Sequence, residues 1–515
     1  MARARGAALG RAMSDTTLDA DGLDYLRRYP DVADAIRGGR FGSAREHFEQ
    51  HGRSEGRLWL ATERPPRAAP PLIGACDLAV VSEDAFYVEG WADDRLEPVT
   101  GLGILDAATG ERWTAPAHRH RREDVERHLG APHPGEFGLW AAGLLPRGCD
   151  GGGRLAFGLA YGGGTANALP PPAGTLRLAR REFLEHLLAH LGRRAVLGNA
   201  TARAFADLDS GLGAVVGELY ERIRATRRVT ARAGFGPVAQ ARPRISLVTV
   251  LYGIPDFLYL LVAQFARHAA DLSAFEFVFV SNSPELDEAL MRDAELAAFV
   301  FGARIRVVAL DQNCGFSHAN NIGVEEAGAD TIAVVNPDVF PRDAAAVRHL
   351  LGLAERDLGR AVVGGRLHYA DGSVMHDGMF FEPDRRLGAL RGDGDAPVWA
   401  VEHFRKGFPD RGPGGGLAPR RVPAVTGALM VLGRRFAQEL GPFDEDFVWG
   451  HYEDADLCLR ARAAGGSVLL DPGLAFWHYE GKGSVQRPEH AGSGLYNRWL
   501  FTGRWGDRLG DANHA

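Results

Sequence analysis

Residues 331–339 read Thr-Ile-Ala-Val-Val-Asn-Pro-Asp-Val. Five residues that favour strands run without a charged interruption and stop at Asn-Pro-Asp, a turn signal. A strand that is apolar on both faces belongs inside a parallel sheet covered by helices, because an antiparallel sheet with one wet face would alternate. Three upstream segments have the same texture: ISLVTVLY at 245–252, FEFVFVSN at 275–282 and IRVVAL at 305–310. Each is followed by polar residues and a helix-like stretch, so the order is strand, helix, strand, helix, and the predicted class is α/β. Open sheets of this kind bind ligands beyond the carboxyl ends of their strands, which directs attention to those ends.

Asp338 follows the strand just quoted, and a carboxylate there can hold a hard divalent cation that also takes diphosphate oxygens; Asn-Pro-Asp is equally an ordinary turn. Asn313-Cys-Gly-Phe-Ser-His-Ala-Asn-Asn-Ile-Gly323 opens a helix after the third run. Gly315 permits a tight turn, and Asn313 and Asn320 offer amides to a nucleotide, although Ser317 or Asn320 would serve equally as a helix cap. In the segment Trp449 to Gly465, Leu457, Ala461 and Ala464 recur at helical spacing up to a stop at Gly465-Gly466. Glu453, Asp454 and Asp456 fall in that helix's first turn, where acids complement the dipole or, beside Trp449 and Tyr452, accept a proton from an attacking hydroxyl. His478, after the short strand SVLLDPGLAF, is either a structural histidine or an imidazole completing a metal site begun by Asp338.

Outside these strands the texture changes. Leu23 to Arg57 is punctuated by Pro30 and Gly38-Gly39 into short helices, with Tyr25, Leu26, Val32, Ile36 and Phe48 as packing residues. A proline-rich linker at 62–72 precedes short alternating segments with glycine turns from Ile73 to about Leu178, as in an antiparallel sandwich. Its Trp91, Trp113 and Trp140 either pack its core or offer stacking faces to a sugar. After Pro170–Pro172, residues 180–232 carry apolar residues at helical spacing, including Phe183, Leu187, Leu188 and Leu191.

With 59 basic and 66 acidic residues in 515, the net charge is -7, and nothing in the composition favours nucleic acid as a partner. Cys76, Cys149, Cys314 and Cys458 are scattered, without the paired spacing of a zinc site or a disulfide framework, so a reducing, cytoplasmic setting is expected. The basic start is followed by no apolar stretch of signal length. No run of 18 apolar residues occurs, so the expected membrane contact is peripheral at most, at the inner membrane.

Taken in order, the four pieces at 313–323, 336–338, 449–465 and 475–480 resemble the inverting family 2 glycosyltransferases of GT-A fold, in particular bacterial rhamnosyltransferases and O-antigen glycosyltransferases. The phrases DGSVMHDGM, VPAVTGALMVLGRRF and GPFDEDFVWG contribute to the likeness, which spans about 243–510. It implies a multidomain chain: a small helical module at 18–60, a β-sandwich-like domain at 73–178, a helical linker at 180–240 and a GT-A catalytic domain at 243–510. It implies a nucleotide diphosphate sugar as donor, a glycan or lipid-linked glycan as acceptor, and Mn2+ or Mg2+ as cofactor, in the synthesis of a bacterial surface polysaccharide.

By the same resemblance Asp454 is the catalytic base, with Glu453 its nearest competitor. Leu251, Tyr252, Ser281, Asn282, Asn313, Gly315, Phe316, Asn320, Asn336, Pro337 and Asp338 face the donor. Thr426, Gly427 and Trp449 face the acceptor, and Asp338 and His478 hold the metal. The usual acidic signature has Asn336 at its first position here, and Ser281 stands where relatives commonly carry Asp, which leaves the base open. RGPGGGL at 411–417 is expected to be a mobile loop over the cleft and lacks the GK[ST] ending of a P-loop. Two other classes compete: a sugar-binding scaffold on a degenerate transferase fold, and a nucleotidyltransferase, which would need a basic glycine-rich loop where LYGIPDF stands.

Overall fold

The computed structural model describes residues 22–512 except 60–73, 131–134, 147–154, 162–165, 169–173, 196–199, 238–241, 392–395, 411–417, 484–486 and the isolated positions 23–24, 27, 53–54, 56, 58, 96–97 and 108. Both proline-rich stretches, the glycine-rich loop at 411–417 and the basic start therefore lie outside the described residues. The chain divides into two compact units, one of residues 1–79, 87–141 and 151–176, the other of 80–86, 142–150 and 177–515.

In the first unit, helices Pro30–Arg37 and Ala44–His47 enclose a small core of Tyr25, Val32, Ala44 and Trp59, with Leu26, Ile36 and Phe48 against it. Further along, the strands form a five-stranded and a four-stranded sheet, antiparallel where their registers are resolved. Trp140 is buried and stacks on His118, so it packs rather than presents a face.

The second unit is built on one mixed sheet. Its strands are β1 (Val229–Phe235), β2 (Ile245–Leu251), β3 (Phe275–Ser281), β4 (Arg304–Leu310), β5 (Thr331–Val335), β6 (Val339–Pro341) and β7 (Ala361–His368). They continue with β8 (Val374–His376), β9 (Met379–Asp384), β10 (Val398–His403), β11 (Leu429–Gly433) and β12 (Ser467–His478). The main sheet runs β1-β4-β3-β2-β5-β11-β7-β12-β6, with β8 on β7 and β9 pairing β10 apart from it. β4, β3, β2 and β5 are parallel, as their uninterrupted apolar runs require, while β11 enters antiparallel between β5 and β7.

The two-residue period of a strand assigns alternate side chains to opposite faces, and both faces are buried. Leu247, Leu251, Phe275, Phe277, Phe279, Ala333 and Val335 enter one core. Their neighbours Val248, Val278, Ile332 and Val334 enter the other. Helices α1 (Phe257–His268), α2 (Asp287–Phe301), α3 (Gly315–Glu326), α4 (Ala344–Ala354), α5 (Glu453–Ala463) and α6 (Glu489–Ala512) belong to the same unit.

Two local expectations change. Neither Ser317 nor Asn320 caps α3: both lie inside the helix, whose N-cap is Cys314 without a side-chain bond. His478 does not follow a short strand but closes a twelve-residue one. That strand tolerates Pro472, which has no N–H to donate, because its register against β7 jumps from Asp471 to Ala475.

Candidate active site

The carboxyl ends of β2, β3 and β5, the start of α3, the turn before α5 and the end of β12 surround one cleft of about 740 Å³. Tyr252, Asn282, Asn313, Phe316, Asn336, Pro337, Asp338, Thr426, Gly427, Trp449, Glu453, Asp454 and His478 line it. Thirteen of the expected site residues thus line one cleft although they are spread along the chain from 252 to 478. Leu251, Ser281, Gly315 and Asn320 do not line it. Leu251 is core. The Ser281 hydroxyl donates to Asp287 at 2.5 Å, and the Asn320 amide donates to the Phe316 carbonyl within its own helix at 2.9 Å.

Gly315 acts on the backbone. Its φ of +79° is the left-handed region that glycine favours. A Cβ there would also fall 2.7 Å from the Tyr220 hydroxyl. Asn282 ties the loops together: its Oδ1 accepts from Cys314 N at 2.6 Å and its Nδ2 donates to Asn313 Oδ1 at 2.9 Å. Phe316 N donates to Trp449 O at 2.6 Å, joining the asparagine loop to the acidic one.

In the acidic loop, Asp454 receives Gly427 N–H at 3.0 Å on Oδ2 and Ala455 N–H at 2.8 Å on Oδ1, which fixes its plane. Glu453 beside it is buried, with Oε2 unbonded. Burial first, and the neighbouring Asp454 charge second, push its carboxyl well above the ordinary glutamate range. The two adjacent acids therefore differ: Glu453 is held toward its protonated form, while the Asp454 carboxyl is fixed by two backbone N–H donors.

The turn that delivers them is strained. Trp449, His451 and Tyr452 have φ of 60°, 84° and 76°, each costing on the order of 1–3 kcal/mol for a residue with a Cβ. Asn497, fully buried on α6, holds the turn by donating to the carbonyls of Val448, Gly450 and His451 at 2.9, 2.7 and 3.1 Å. Nothing in the local sequence marked this residue.

Across the cleft His478 Nε2 lies 3.4 Å from Asp338 Oδ1. Asp338 Oδ2 is occupied, accepting from Lys482 N at 3.2 Å and Gly483 N at 2.9 Å, so Oδ1 is the oxygen left for a ligand. The buried His478 Nδ1 has no hydrogen-bond partner. Among the described residues no third histidine, cysteine or carboxylate joins the pair. One carboxylate oxygen and one imidazole nitrogen fit a divalent cation that draws its remaining ligands from phosphate and water, the usual arrangement for magnesium-type sites. Sequence reasoning also missed His403, His451, Glu480 and His490, which line the same cleft.

Residues 246–378 match the model of the family described as Glycosyl transferase family 2. The chain is 30% identical over 189 residues to the uncharacterized protein y4gI of Sinorhizobium fredii (strain NBRC 101917 / NGR234), covering 36% of this chain and 19% of that protein. It is 25% identical over 290 residues to the O-antigen biosynthesis protein RfbC of Myxococcus xanthus, covering 55% of this chain and 21% of that protein. The chain thus spans about a fifth of the length of these curated relatives. Among solved structures it is similar to GalNAc-T7 with UDP, GalNAc and Mn2+, at 17% identity and a TM-score of 0.38, covering 52% of this chain and 50% of that one. No described helix is long and apolar enough to cross a membrane. The chain therefore contains a glycosyl transferase family 2 domain, matched over residues 246–378, whose sheet and cleft are completed by the strands and helices that follow.

Proposed function

We propose that the second unit is an inverting glycosyltransferase of GT-A type that moves a sugar from a nucleotide diphosphate to a saccharide hydroxyl, in the assembly of a bacterial surface glycan. The observation that carries this reading is the placement of the Asp454 carboxyl, fixed by two backbone N–H donors, in the same cleft as the Asp338–His478 pair.

Tyr252, Asn282 and Asn313 belong to the donor half and Thr426, Gly427 and Trp449 to the acceptor half. Asp338 Oδ1 and His478 Nε2 would hold a Mn2+ or Mg2+ ion, which when bound supplies positive charge to the diphosphate. Asp454 takes the proton of the acceptor hydroxyl as that oxygen forms its bond to the anomeric carbon, and a single displacement inverts the configuration. Burial, with the Asp454 charge second, holds Glu453 toward its protonated form, which favours its neighbour for the base role. The two backbone N–H groups on Asp454 hold its carboxylate in place; such positioning contributes to rate by fixing the near-attack geometry.

The test is a screen of purified nucleotide sugars for hydrolysis and transfer, preceded by thermal-shift measurements with UDP, dTDP and GDP with manganese. Stabilisation by at least one nucleotide and turnover of its sugar are expected. Binding to none of them would overturn the reading.

A further inference from the structure

His376 and His403 stand Nδ1 to Nδ1 at 2.9 Å, with ring planes 78° apart. His376, at the end of β8, is fully buried, while His403, at the end of β10, lines the cleft. The far nitrogen of His376 settles which ring donates. Nε2 faces the backbone N–H of Gly378 at 3.3 Å and of Thr426 at 3.5 Å. A nitrogen approached by two N–H donors carries its lone pair, so the proton of the neutral His376 ring is on Nδ1. His376 therefore donates, and His403 Nδ1 accepts. The proton of a neutral His403 must then sit on Nε2, across the ring from His376, and no described protein group bonds to it.

Burial, and for His376 the second ring as well, holds both imidazoles below their ordinary range, which keeps the pair neutral. His403 lines the cleft opposite Met379 on the neighbouring strand, and Asp454, Lys406, Glu480 and His478 are the charged or titratable groups that act on it, so it lies within reach of the attacking group if Asp454 is the base. We propose that His403 is a specificity-determining residue that donates from Nε2 to an oxygen of the acceptor saccharide, and that His376 is the positioning residue that fixes its tautomer. This rests on the glycosyltransferase reading given above. It also removes His403 as a rival base, because the nitrogen facing the cleft already carries a proton.

The first test needs no substrate. Long-range proton–nitrogen NMR of the 15N-histidine-labelled full chain at pH 7.5, with His403 assigned by loss of its signals in His403→Gln, reads which ring nitrogen is protonated. An Nε2–H ring is expected; an Nδ1–H ring overturns the proposal, and His403→Asn or His403→Ala supplies the assignment if His403→Gln fails to fold.

The second test uses the nucleotide sugar that the screen finds active, with methyl glycosides and their monodeoxy analogues as acceptors. His403→Ala should raise the acceptor KM about tenfold, the scale of one lost hydrogen bond to a fixed donor. His403→Gln, which restores an N–H donor, should recover part of the loss. One monodeoxy glycoside should be equally poor for wild type and His403→Ala, identifying the oxygen contacted. An unchanged acceptor KM in His403→Ala, with the wild-type protein turning over its nucleotide sugar, overturns this inference alone. A wild-type protein that turns over no nucleotide sugar overturns the underlying reading instead, and the NMR result still decides the tautomer.

Discussion

Asn497 grips Val448 from both sides: its Oδ1 accepts the Val448 N–H at 2.8 Å and its Nδ2 donates to the Val448 carbonyl at 2.9 Å. This reciprocal pair replaces the strand partner that a residue in a tight turn lacks. It fixes the point from which the chain enters three successive left-handed side-chain-bearing positions before α5. Asn497→Ala leaves a buried amide unsatisfied, which costs about 1–3 kcal/mol. The freed turn displaces Asp454, and kcat should fall on the order of a hundredfold, as expected for a catalytic group moved by about an ångström. UDP binding should hold, because the donor half lies on other loops. A lowered melting temperature with unchanged kcat would reduce Asn497 to a stabilising residue.

Asp454→Asn keeps the size but removes the anion and leaves one oxygen for the two backbone N–H donors. Transfer should fall by about a hundredfold to ten-thousandfold, the range for loss of a general base, while UDP-induced stabilisation is retained. Glu453→Gln, replacing an already protonated acid by a neutral isostere, should keep transfer within about tenfold. Reversal of these two results would exchange the roles.

Glu453 also sets a dependence of stability on pH. Its folded carboxyl titrates well above its unfolded value. Between the two the folded state binds more protons than the unfolded chain, so stability falls as pH rises through that window. Glutamine at 453 abolishes this term. Melting temperatures of wild type and Glu453→Gln should coincide below the ordinary glutamate pKa and separate toward pH 7, with the variant higher. Parallel curves would show that Glu453 ionises normally in the fold.

Asp338→Asn and His478→Ala should each leave the nucleotide diphosphate selected by the screen with the stabilising effect it has in EDTA, abolishing the increment that manganese adds. Calorimetric titration of that nucleotide with and without manganese measures the increment directly. A variant that retained it in full would place the metal elsewhere.

The parallel half of the fold was legible because burial on both faces leaves an unmistakable signature: Phe275 to Ser281 contains no exposed position. The ordered strand ends brought thirteen expected residues to one cleft for the same reason, since the topology of an α/β sheet converts chain order into spatial order. Individual residues were less readable. Ser281 and Asn320 are polar residues at the right places whose hydrogen bonds are spent on Asp287 and Phe316. A sequence shows a donor or acceptor but not its partner. Asn497, His376 and His403 were invisible for the converse reason: each acts on a group tens of residues away, 49 for Asn497 to Val448 and 27 between the histidines.

The position of β11 has a consequence for what counts as a self-sufficient piece of this protein. β5 and β7 both fall inside the matched segment 246–378, yet they never touch; β11, from residues 429–433, stands between them. A fragment cut at residue 378 would present two raw sheet edges facing an empty slot one strand wide, a template for pairing with other chains. The matched segment is thus a torn piece. The wedge that makes it whole arrives late in the chain, shortly before Asp454, the proposed base.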